Sequence, residues 1–233
     1  MVLITKKPRF LPTGCPALDG LLDGGLPIGE ITLAYGESSS GKTTLALQAA
    51  FRAAASSWKV IYVDADRSFT PQRFTQIAGP ASDEASSNIF IFAPTSFQEQ
   101  ARVIEGLENY LSKLTILVVV DSITSLYRIA STAPRDRFLL NRALNRQLAY
   151  LAELARKHGL AVLITSQVHA SLEREEVEPV AKRALFFWSR NVIKLRPLGK
   201  SMVKASVERL AFKESSGLER KLRLTEGGFE GAA

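Results

Sequence analysis

One cysteine and two histidines are all the soft metal-binding chemistry that these 233 residues carry. A lone Cys15 closes no intramolecular disulfide, and so small a supply argues against a zinc site. The matching expectation is a reducing, cytoplasmic compartment. Long hydrophobic runs are missing as well. The longest aliphatic stretch, Ile116 to Val120, is far shorter than the ~20 residues that cross a bilayer. Met1 to Pro12 has only four apolar residues before Lys6 and Lys7, without the long apolar region of a signal peptide. No membrane partner is expected. There is no internal repeat and no low-complexity tract.

Apolar residues, by contrast, are plentiful. They make up 46% of the chain, enough for a sizeable core, and the length suits a single α/β domain over 1–233. The net charge is +7, but it is unevenly placed. Lys182 to Arg223 holds twelve Lys/Arg against three Asp/Glu, whereas the rest of the chain is slightly acidic. Such a segment suits a polyanion, usually nucleic acid, or equally a solvated basic face without a partner.

The densest chemical signal is Gly36-Glu37-Ser38-Ser39-Ser40-Gly41-Lys42-Thr43, which reads G-x-x-x-x-G-K-[ST]. The apolar run Ile31 to Tyr35 before it suits a buried strand, and Thr44 to Ala55 behind it suits a helix. That context makes the string a phosphate-cradling loop. Its backbone N–H groups converge on an anion at a helix N-terminus. Gly36 to Thr44 are the predicted nucleotide contacts. Lys42 would reach the β- and γ-phosphates, and the Thr43 hydroxyl would hold Mg²⁺.

Downstream, apolar runs alternate with helical periodicity. Strands are predicted at Lys59–Asp64, Asn88–Ala93, Thr115–Ser122 and Leu160–Thr165. Pro71 begins a short helix to Ala78. A longer one, Ser96 to Leu114, has Glu99 three residues after its cap, and Phe138 to His158 carries Leu140, Leu144, Leu148, Leu151 and Ala155 at helical spacing. This alternation predicts a mostly parallel sheet with helices on both faces. Asp64 and Asp66 follow one strand and Asp121 ends another, so all three are expected to face the nucleotide. Asp121 would support Mg²⁺ through water. From Asn191 three β-like segments follow without helices, an antiparallel extension of one sheet edge. Residues 227–233 read as a loose tail, and 1–29 as an entry segment.

Leu11-Pro12-Thr13-Gly14, Leu18-Asp19, Gly24-Gly25-Leu26, the phosphate loop, Tyr62-Val63-Asp64, Val119-Val120-Asp121-Ser122 and Ile164-Thr165-Ser166-Gln167 together resemble the ATPase core of the RecA/RadA recombinases. The likeness is strongest to the archaeal RadB-type paralogs, which lack the N-terminal helix-hairpin-helix domain of RadA. It implies a RecA-like P-loop NTPase core, ATP and Mg²⁺ as cofactors, and DNA, favouring single strands, as partner. It also implies a RadA-type recombinase or other recombination protein as a protein partner, and allows a homo-oligomer.

Residue by residue, the resemblance makes Lys42, Asp66 and Gln167 the catalytic set. Gln167 would sense the γ-phosphate and signal to a DNA-binding loop at about Val168 to Phe187, where His169, Lys182 and Arg183 are candidate contacts. A second DNA loop would lie at about Arg128 to Arg137, with Arg128, Arg135 and Arg137. Asp66 departs from the family pattern, which has Glu as the base that orients the attacking water. The shorter side chain sets the carboxylate back by ~1.5 Å, which predicts weak DNA-dependent hydrolysis. The acidic run Glu173 to Glu178 also weighs against strong DNA binding. The leading expectation is therefore a recombination accessory protein. A signalling ATPase of KaiC type and a filament-forming strand-exchange recombinase are the alternatives.

Overall fold

In this computed structural model the described residues are 7, 9–130, 137–170, 177–211 and 217–232. The first half runs β1 (Phe10–Leu11), α1 (Pro16–Leu21), β2 (Leu26–Pro27), β3 (Ile31–Gly36), α2 (Lys42–Ala54), β4 (Lys59–Asp64), α3 (Pro71–Ala78), α4 (Ser82–Ser86), β5 (Ile89–Phe92) and α5 (Phe97–Gly106). Then come β6 (Thr115–Asp121), α6 (Ser125–Ala130), α7 (Arg137–His158), β7 (Ala161–Ser166), β8 (Val168–Ala170), β9 (Val177–Pro179) and α8 (Lys182–Trp188). The chain closes with β10 (Asn191–Gly199), β11 (Met202–Arg209), β12 (Leu218–Thr225) and β13 (Gly228–Gly231).

Nine of these strands form one sheet in the order β13-β12-β11-β10-β3-β7-β6-β4-β5. From β10 to β5 every neighbouring pair is parallel; from β10 to β13 every pair is antiparallel. This is the expected mostly parallel sheet with an antiparallel extension. Strands β3, β6 and β7 are buried along their whole length, as unbroken aliphatic runs require between two helical layers.

Alternation along the strands divides the core. Val119 and Leu163 face Leu45, Leu47 and Ala50 of α2 on one side. Val118 and Val162 face Leu144, Leu148 and Leu151 of α7 on the other. Each of those leucines contributes about 1.5–3 kcal/mol by leaving water. Leu140, one turn nearer the helix start, is only half-buried.

Two expectations need correction. The helix predicted to reach Leu114 ends at Gly106 and passes into a 3₁₀ turn over Leu107–Tyr110. Glycine is a poor helix former, and beyond buried Leu107 the side chains of Tyr110 and Leu114 are exposed, Tyr110 touching the edge-strand ring of Phe92. The Ser96 cap is present, but Glu99 turns its carboxylate to the Thr95 amide and hydroxyl, both at 2.7 Å. The expected loose tail is also ordered over 228–231 as strand β13. Its Phe229 is 1% exposed and would otherwise present a large apolar ring to water.

Candidate functional site

The loop between β3 and α2 is held open by two glycines with crowded surroundings. A Cβ on Gly36 would lie 2.1 Å from the Leu195 carbonyl oxygen of neighbouring β10. One on Gly41, the left-handed N-cap of α2 at φ +88°, would lie 2.3 Å from the Phe229 ring. Ser39 also has positive φ, at 60°. Such alternation of backbone hand aims successive N–H groups into one concavity, a nest for an anion. Glu37, Ser38 and Ser39 are exposed, Ser40 is buried and Thr43 is half-buried.

Lys42 folds back over this loop. Its Nζ donates to the Gly36 carbonyl at 2.9 Å, the Glu37 carbonyl at 2.6 Å and Ser40 Oγ at 3.3 Å. Burial lowers its pKa, opposed by the charges of Asp121, Asp66 and Glu37. The hydroxyl of Thr44, expected among the nucleotide contacts, accepts a hydrogen bond from Arg73 Nη2 at 3.4 Å. Arg73 also donates to the Thr225 and Glu226 carbonyls at 3.2 and 2.8 Å, tying α3 to the turn before β13.

The acids converge because β4 and β6 are neighbours, with Asp64 opposite Asp121. Asp121 is 1% exposed. Its Oδ2 accepts from Tyr62 Oη at 2.9 Å and Ser68 Oγ at 3.3 Å, and its Oδ1 from the Thr165 hydroxyl. Burial raises its pKa, opposed by hydrogen bonds from Thr165, Thr43 and Tyr62.

Asp64 was expected to face the nucleotide, but its oxygens accept the Ser68 and Phe69 amides at 2.9 and 3.0 Å. It builds the turn after β4. Asp66 remains, half-buried, with its amide and that of Ala65 both on the Asp121 carbonyl, at 3.2 and 2.8 Å, and its Oδ1 accepting from the Ser125 hydroxyl.

Gln167 stands half-buried just beyond β7, and its carbonyl accepts the Val180 amide at 3.1 Å and Ser166 Oγ at 2.9 Å. The described parts of the expected loop from Val168 to Phe187 are structured. β8 and β9 form a hairpin that sets His169 opposite Glu178, and α8 follows. Lys182 pairs with Glu178 at 2.8 Å, so that expected DNA contact is already partnered, while Arg183 is exposed. Arg128 on α6 and Arg137 at the start of α7 are exposed; Arg135 lies outside the described residues. Phe186 packs on Tyr35 and Trp188 donates to Asn145 at 3.2 Å, leaving Phe187 as the exposed aromatic. Tyr62, Ser125, Gln48 and Phe229 are site residues that motif reading passes over. The only signal in sequence was the position of Tyr62 two residues before a strand-ending acid.

A family model described as Rad51 matches residues 7–228. The chain belongs to the Rad51 family. It is 41% identical to the DNA repair and recombination protein RadB of Thermococcus kodakarensis, over 95% of this chain and 99% of that one. RadB of Thermococcus onnurineus is 37% identical over 95% and 97%, and that of Halobacterium salinarum 32% identical over 98% of both. A solved structure described as that of the RadB recombinase superposes with a TM-score of 0.83 at 38% identity, covering 96% of this chain and all of that one.

Members of this family are in general ATPases that use Mg²⁺. The donor set here fits such a ligand: a nest of N–H groups, an ammonium, a hydroxyl at the helix start and a buried carboxylate at the end of β6. Among the described residues no helix is long and apolar enough to cross a membrane.

Proposed function

We propose that this chain is an ATP-binding accessory protein of DNA repair and homologous recombination. It binds DNA, favouring single strands, modulates a RadA-type recombinase and hydrolyses ATP slowly. Gly36 to Thr43 would cradle the phosphates, with Lys42 on the β- and γ-phosphates. Thr43 would hold Mg²⁺, supported by Asp121 through water, and the metal would neutralise charge that develops on the transferred phosphoryl group. Asp66 would orient the attacking water, and Gln167 would pass the nucleotide state to the β8–β9 hairpin.

The observation that carries the DNA reading is a row of cations on the antiparallel extension. Register places Arg196 opposite Lys204 and Lys204 opposite Lys221. Lys194 and Arg223 flank the row on the same face, and α1 packs on the other face. Among the described residues, Lys204 is the one member of this group with an ion-pair partner, Glu219 at 2.9 Å. Like charges directly opposite one another across strands destabilise a sheet, and a phosphate backbone would offset that repulsion. Single-stranded DNA affinity should therefore fall steeply with salt. Replacing Arg196 and Lys221 together by alanine should flatten the log–log slope by about 1.4, the value for two phosphate contacts on a single strand. Absence of binding at low salt would defeat the reading.

Slow hydrolysis rests on Asp66. Asp66→Glu restores the missing methylene, and it is expected to raise DNA-stimulated phosphate release about tenfold at unchanged ATP affinity. An unchanged rate would assign the slow step elsewhere.

One observation favours the filament-forming alternative. β5 is one of the two edge strands of the sheet and exposes Phe90 and Ile91, an edge to which another chain could add. Filaments on DNA, seen by electron microscopy, would support that reading.

A further inference from the structure

The contact between Asp66 and Ser125 joins two loops that leave the sheet at neighbouring strand ends. Ser125 opens α6, only four residues after Asp121, and Asp66 lies two residues after β4. The side chain of Ser125 is nearly buried, and its hydroxyl meets Asp66 Oδ1 on one side and Ser122 Oγ, at 2.9 Å, on the other. Ser122 is wholly buried. The backbone beneath is tied as well, since the Asp121 carbonyl takes the amides of Ala65 and Asp66. Among the described residues nothing donates to Asp66 Oδ2. The carboxylate is thus held by one oxygen, with the other left for a water. It lies close enough to the Lys42 ammonium to act on its charge.

A short carboxylate loses reach but gains if its aim is fixed. Asp has two side-chain torsions, and a hydrogen bond to one oxygen restricts both. We propose that Ser125 is a positioning residue for ATP hydrolysis, holding Asp66 Oδ1 so that Oδ2 faces the attacking water. This rests on the reading of Asp66 as the water-orienting base. Proton transfer stays with Asp66, and Ser125 acts only through it.

The test is a double-mutant cycle on phosphate release by the full chain with single-stranded DNA, using Ser125→Ala, Asp66→Asn and the pair. Ser125→Ala is expected to lower kcat about tenfold, with KM for ATP within about twofold of wild type. In the Asp66→Asn background the same change should have no further effect. Fluorescent ATP-analogue affinity and Tm, measured on each variant, report folding. Ser125→Thr, which keeps the hydroxyl, should recover most of the rate.

If Ser125→Ala lowers the residual rate of Asp66→Asn equally, the effect is general and the proposal is overturned. An unchanged or faster Ser125→Ala, with Asp66→Asn slow, also overturns it while leaving Asp66 as the base. If Asp66→Asn is as fast as wild type, the base assignment itself fails, and the proposal with it.

Discussion

Lys42→Ala is expected to abolish the thermal stabilisation that ATP and Mg²⁺ give the wild-type chain. Ligand at one hundred times its Kd stabilises the native state by about 2.7 kcal/mol. For a domain of this size that is a rise in Tm of about 5–10 °C. The apo variant should melt within about 3 °C of wild type, because two effects oppose one another. Alanine removes three hydrogen bonds to the loop, and it also removes an ammonium whose burial lowers its pKa. Differential scanning fluorimetry with and without nucleotide checks both halves. A full ATP shift in the variant would show that Lys42 does not hold phosphate.

Phe229→Ala should be the most damaging single change in the edge strand β13. The ring is buried against Gly41, and Gln48 brackets the residue, accepting its amide at 2.8 Å and donating to its carbonyl at 3.1 Å. Truncating a buried Phe to Ala costs about 3–5 kcal/mol, or a fall in Tm of about 10 °C. ATP should also bind more weakly, since the left-handed turn at Gly41 loses the ring that fills the space beside it. Urea denaturation gives the first quantity and titration with a fluorescent ATP analogue the second. A change of Tm under about 2 °C would mean that β13 docks without support from this ring.

The architecture was legible because its signals are local. Buried parallel strands must be apolar throughout, so β3, β6 and β7 announce themselves, as does the glycine-lysine string between β3 and α2. The acids were only partly legible. Asp64, Asp66 and Asp121 look alike as polar endings of apolar runs, and only the backbone shows that Asp64 is spent on two amides of its own turn. Ser125 carried no signal, because its partner lies 59 positions away. The expected DNA loop after Gln167 read as open chain because β8, β9 and α8 are three, three and seven residues long. Segments so short show no clear periodicity. The tail was misread for a similar reason: one phenylalanine among glycines has no pattern, and what it covers is far away.

That distance has a consequence for how the protein is made. Gln48 and Phe229 are 181 positions apart, yet they meet beside the phosphate loop. At about 5–20 residues per second, synthesis separates the two by roughly ten seconds or more. The helix behind the loop can form early on the ribosome, but the wall beside Gly41 emerges only 181 positions after Gln48. On the ATP-binding reading, a nascent chain would therefore hold nucleotide poorly until Phe229 has emerged and docked beside Gly41.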